Sequence, residues 1–150
     1  MSILDLLKVD HKEVSNLLSE MCETTDRAAK KRAQLFTECK TALMAHSHAE
    51  LEAFYLPLLR DGDDEDALLE AQVEHEVVER LLEDISSIEP TDEKWLAKVT
   101  VLMELVEHHV EEEEGEIFKL ARKAYDKKKL DEIGTRFEEL KQQEMAQAPA

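Results

Sequence analysis

Glycine and proline are scarce, with three of each in 150 residues. Turn-rich sheets draw heavily on both, so their shortage beside abundant Leu, Glu, Ala and Lys favours an all-α fold. Basic residues are outnumbered too: 19 Lys and Arg stand against 36 Asp and Glu, for a net charge of −17. So acidic a surface repels phosphate backbones and anionic lipid, and the expectation is no nucleic acid and no membrane partner. There is no run of eighteen apolar residues, and the amino-terminal segment lacks the basic start, apolar run and small-residue site of a secretion signal. A cytoplasmic protein is expected. The two cysteines, Cys22 and Cys39, lack Cys-x-x-Cys or zinc-type spacing and occupy apolar helix positions, which suits buried thiols. Glycine-rich phosphate loops, the G-x-S-x-G motif and Cys–His nucleophile pairs are absent as well.

What is present is apolar periodicity at spacings of three and four, enough for one domain over residues 1–150. Ser2 is a candidate cap for a first helix with Leu4, Leu7, His11, Val14, Leu18 and Met21 on one face. A second helix should span about 28–60, kinked or ending at Pro57. A third, about 64–87, carries Leu68, Ala71, His75, Val78 and Leu82, and a fourth, capped at Thr91, carries Leu102, Val106, His109, Glu113 and Ile117. Short connections imply antiparallel neighbours, hence an up-down four-helix bundle over about 2–125. A short fifth helix, about 128–143, should cover the bundle end, although Gly134 weakens it. A frayed tail is expected over 144–150.

The stretch from Leu43 to Pro57 organises the rest. Phe36, Cys39 and Leu43 lead into His46 and Glu50, so this His-x-x-x-Glu pair continues an apolar stripe and should face the core. A buried carboxylate calls for a partner. An internal repeat supplies candidates: Val9-Asp10-His11 aligns with Val73-Glu74-His75, and His46-x-x-x-Glu50 aligns with His109-x-x-x-Glu113. A lone His on an apolar face is usually a core histidine, but four in the same phase with two carboxylates suit a dinuclear metal site. His48–Glu52 and His108–Glu112 offer rival pairs at the same spacing, on poorer stripes, and the run Glu111 to Glu114 otherwise suits a solvated acidic face. Tyr55 and Tyr125 suit packing at the core edge, the alternative being hydrogen-bond donation or radical relay near a metal.

The series His11, His46-x-x-x-Glu50, His75, His109-x-x-x-Glu113 resembles the hemerythrin-like, or HHE cation-binding, family over about residues 4 to 122. The resemblance implies a four-helix bundle holding two iron ions, oxo- or hydroxo- and carboxylate-bridged, with the four His as ligands and Glu50 and Glu113 as bridges. It also implies O2 or peroxide as ligand, in sensing or handling of O2, iron or redox state, or else an enzyme that decomposes peroxide or reduces nitric oxide. Oxygen carriers of the family have a further His where this chain has Glu79, and an Asp five residues after the fourth-helix His rather than a Glu four after. Glu79 would thus be an added metal ligand or mark an open position, and more anionic oxygen ligation favours redox or peroxide chemistry over repeated O2 release. No His has a Glu three residues before it, which separates this pattern from the Glu-x-x-His of ferritin-like bundles.

Overall fold

The structure, a computed structural model, describes residues 1–148. Helix α1 (Ile3–Cys22) opens at Ser2, whose hydroxyl accepts the Leu4 N–H at 3.1 Å. After a 3-10 turn at Asp26–Ala28 comes α2 (Ala29–Glu50), which passes through a π-helical turn, Leu51–Tyr55, into α3 (Leu56–Asp61). The helix therefore does not end at Pro57 but runs on to Asp61. The irregularity lies just before it: the Leu56 N–H reaches back to Leu51 O, and the widened turn re-registers the backbone ahead of a residue with no N–H to give.

Helix α4 (Glu65–Ser86) is capped by the Asp64 carboxylate, which accepts from Ala67 N–H at 3.2 Å. Helix α5 (Trp95–Glu112) starts later than a cap at Thr91 would set it, because Asp92 turns the chain by accepting the Lys94 N–H at 2.8 Å. Its first residue, Trp95, is buried beneath the Arg32 guanidinium, 4.5 Å from the ring. Arg32 in turn donates to Thr24 Oγ1, Thr24 O and Pro90 O at 2.8, 3.0 and 2.7 Å, tying two connections together at one end of the bundle. A second π-helical turn, Glu113–Ile117, leads into α6 (Phe118–Ala124). In the chain's internal repeat the two π turns match to within one residue, the first beginning just after Glu50 and the second at Glu113.

Helix α7 (Lys127–Gln147) corrects two expectations. It is as long as its neighbours rather than short, and it lies along α1 and α2 rather than across the bundle end. Lys127, Lys128 and Lys129 open it, under an Asp126 cap that accepts the Lys129 N–H at 2.9 Å. Gly134 is required rather than merely tolerated, since a Cβ there would stand 2.5 Å from Met1 O and 3.0 Å from Ile3 N. The tail expected to fray from 144 is helical to Gln147, and residues 149 and 150 lie outside the described residues.

Packing of α1 against α2 and α5, and of α4 against α5, gives the antiparallel bundle, with no strand among the described residues. No described helix is long and apolar enough to cross a membrane. The core falls into two apolar clusters. One gathers Ile3, Leu7, Phe54, Leu58, Leu68, Phe118 and Phe137; the other gathers Val14, Leu18, Phe36, Cys39, Leu82, Trp95 and Leu102. Between them lies a layer of polar side chains, all buried except the partly buried His75.

Candidate metal centre

Those polar side chains are His11 from α1, His46 and Glu50 from α2, His75 from α4, His109 from α5 and Glu113 from the second π turn. Both carboxylates are wholly inaccessible to solvent (0 %). The six form two groups, His11–His46–Glu50–Glu113 and Glu50–His75–His109–Glu113, and within each group the donor atoms lie within 4.8 Å of one another. Both groups use both glutamates. His11 Nε2 lies 2.9 Å from Glu113 Oε1, His75 Nε2 3.0 Å from Glu50 Oε1, and His46 Nε2 3.5 Å from Glu50 Oε2. Ligands about 2.0–2.2 Å from a shared ion and at right angles to one another stand roughly 3 Å apart, so these separations suit convergence on an ion.

Hydrogen bonding supports the same conclusion. His11 Nε2, both oxygens of Glu50 and Glu113 Oε1 are buried without a hydrogen-bond partner. Unpaired buried acceptors are expensive, and carboxylates most of all. A layer of hydrogen-bonded His–Glu pairs would leave none of these atoms over. Cations satisfy all of them at once, so the residues present fit a metal centre.

The opposite edges of three of the four rings are held by carboxylates. His46 Nδ1 faces Asp10 Oδ2 at 2.9 Å, His109 Nδ1 faces Glu74 Oε1 at 2.7 Å, and His11 Nδ1 faces Glu114 Oε2 at 2.6 Å. An ionised carboxylate only accepts, so each of these Nδ1 atoms carries a proton, and each Nε2 is left facing the centre, where a cation would displace any proton it holds. Burial by itself would lower the His46 pKa, but the charge of Glu50 and the bond to Asp10 outweigh it and push it up to about 10. His109 follows the same balance, with Glu113 and Glu74 raising it to about 10. In Glu113, burial favours the neutral acid, yet His109 and His11 hold the group well below the usual carboxylate range. The Tyr55 hydroxyl, buried beside the centre, donates to Glu113, and its ring lies 5.2 Å from that of His75.

The structure thus brings together His11, His46, Glu50, His75, His109 and Glu113. Glu79 stands elsewhere, facing His48 Nε2 at 3.1 Å on the outside of the bundle, where His48 also bonds Glu144. His108 is exposed as well, 3.2 Å from Glu112. Reading the sequence alone missed Asp10, Glu74 and Glu114. Two of them carried a signal, because an acidic residue immediately precedes the first-helix His in both repeats. Tyr55 is buried and bonded to a member of the centre, the donor role that stood as the alternative to packing.

Fold and site together define a four-helix bundle with a buried cation-binding layer. The chain belongs to the hemerythrin HHE cation binding domain family, whose model matches residues 2–121. A protein of Nostoc sp. called a DNA nickase is 30% identical over 141 residues, covering 94% of this chain but 39% of that protein. The crystal structure of a hemerythrin HHE cation binding domain-containing protein from Mycobacterium kansasii shares the fold, with a TM-score of 0.86 at 19% identity. That similarity covers 98% of this chain and 89% of the other.

Proposed function

We propose that this is a cytoplasmic, non-haem di-iron protein that takes O2 or peroxide as its small-molecule ligand, in the sensing or handling of O2, iron or redox state. The observation that carries this is the sharing of Glu50 and Glu113 between two donor groups. In this reading His11 and His46 would hold one ion and His75 and His109 the other, with Glu50 and Glu113 serving both. Iron, when bound, supplies electron exchange with dioxygen or peroxide.

The protein's own part is to orient, enclose and select. A cavity of about 30 Å³ touches all four His and is otherwise walled mainly by Val14, Leu43, Val78, Val106 and Val110. That is roughly the share of one water in the liquid, which suits a diatomic or peroxide. Tyr55 places a hydroxyl proton on Glu113 at the other side of the layer. The unpaired thiols of Cys22 and Cys39 suit a reducing compartment. The nicking activity in the Nostoc protein's name is not carried over, since the shared region is a minority of that protein and a net charge of −17 repels a phosphate backbone.

A second reading, decomposition of peroxide or reduction of nitric oxide, is favoured by the evenness of the two groups. Glu79 faces His48, so it closes neither group, and each keeps two imidazoles and the same two carboxylates. Anaerobic loading with Fe2+ should give two irons per chain. His11→Ala should lose one of them, and Glu50→Ala should weaken both. Adding O2 and peroxide to the loaded protein and following the near-ultraviolet bands separates the readings: stable ligation supports the first, turnover with gas evolution the second. Uptake of a single iron, or none, would refute both.

A further inference from the structure

The two halves of the centre are not braced alike. In the half with His46, Asp10 is a nearly buried carboxylate with both oxygens engaged: Oδ2 takes His46 Nδ1 at 2.9 Å and Oδ1 takes Lys141 Nζ at 2.6 Å. Lys141 comes from α7, beyond the family-matched residues 2–121. One turn earlier on α7, Phe137 sets its ring edge-on to His46, with centroids 5.6 Å apart. In the other half the counterpart of Asp10 is Glu74. Its Oε1 takes His109 Nδ1 at 2.7 Å, but its second oxygen has no lysine: the exposed His108 lies 3.7 Å from it, and the carboxyl of Glu112 stands beside Glu74.

We propose that Lys141 is a positioning residue for the His11/His46 half of the centre: it fixes Asp10, Asp10 fixes the His46 ring, and the C-terminal helix thereby sets how tightly that half holds its ion. The inference rests on the two-ion reading above. An imidazole held by a carboxylate keeps its lone pair aimed, and losing such an outer partner typically weakens metal binding by about 10–100-fold. Removing Lys141 leaves Asp10 with one unmatched oxygen in a nearly closed site, free to swing off His46. The His75/His109 half has no contact with α7 through Glu74 and should not respond.

The test is titration with Zn2+ alone, using Lys141→Met, which keeps most of the apolar stem and removes the ammonium. In a His75→Ala/His109→Ala background, where the His11/His46 half remains, Lys141→Met should weaken Zn2+ binding about 10-fold or more. In a His11→Ala/His46→Ala background it should change binding less than about twofold, and Lys141→Arg should restore much of the loss in the first background. Equal weakening in both backgrounds, or no weakening in either, overturns the proposal. Should a background variant fail to fold, the Zn2+-loaded single variant gives the same answer by NMR. There the Nδ1 proton of His46 should exchange with water faster while that of His109 does not, and unchanged exchange at His46 is refutation. A wild-type chain that takes up fewer than two Zn2+ ions instead refutes the two-ion reading, whatever Lys141 does.

Discussion

At the scale of single residues, the centre is set by what each buried polar atom touches. Tyr55 is the sharpest case, a wholly buried phenol donating to a wholly buried carboxylate. Burial and the charges of Glu113 and Glu50 push its own pKa well above the ordinary value, so it stays a donor at any ordinary pH. Tyr55→Phe removes that donor from an ionised acceptor and should destabilise the chelated protein by about 1.5–3 kcal/mol, measured by denaturant unfolding in EDTA. An unchanged unfolding midpoint would show that Glu113 does not depend on the hydroxyl. The six central residues were legible in the sequence because each lies in phase with an apolar stripe. Asp10 and Glu74 were harder to assign, since a residue adjacent to a stripe position points about 100° around its own helix. What makes them reach the centre is the neighbouring helix, whose His comes to meet them. Glu114 was hidden in an acidic run that reads as a solvated face. Glu79 misled in the opposite way, because one turn after His75 is the correct phase on α4, yet its carboxylate turns to His48.

Elements add what phase alone does not carry. Four helices and their antiparallel order follow from stripes and short connections. The π turns do not, because a shift in hydrogen-bond register leaves little trace in composition, and Pro57 marked only the neighbourhood of the first. Helix α7 was recognisable from Leu130, Ile133, Phe137 and Leu140 but looked too short. Lys141 and Glu144 lie beyond the apolar residues that marked the stripe, and Asp10 and His48 on the bundle are their partners. Gly134 tests the docking of α7 directly. In an exposed helix Gly→Ala gains about 1 kcal/mol, but here the added carbon would meet the backbone of Met1 and Ile3. Overpacking of this kind costs roughly 1–3 kcal/mol, so Gly134→Ala should lower the melting temperature rather than raise it. A higher melting temperature would mean that the amino terminus yields without cost.

For the molecule as a whole, the dominant fact is that one polar layer divides the core, and its charge must balance with or without ions. After chelation, protons on the imidazoles balance Glu50 and Glu113. His46 and His109 titrate at about 10 in the fold against an ordinary 6.5, and His11 is shifted in the same direction. Raised histidine pKa values stabilise the fold fully below about 6.5, and that stabilisation is lost as the pH climbs through about 10. Glu113 acts in the opposite sense: its depressed pKa stabilises above the ordinary 4.5 and fails as the pH falls through the lowered value. The chelated protein should therefore melt highest near pH 5 to 6.5 and progressively lower towards pH 10. Ions change the slope. To ligate, His46 and His109 must give up protons, so Zn2+ binding should release protons at pH 7 and tighten as the pH rises. Calorimetry in buffers of different ionisation enthalpy measures that release, and the loaded protein should lose less of its melting temperature between pH 6 and 10 than the chelated one. A chelated protein more stable at pH 10 than at pH 6 would show that the imidazoles are not what neutralises the two buried glutamates. The balance between the layer's charges, on which the two-ion reading depends, would then have to come from elsewhere in the bundle.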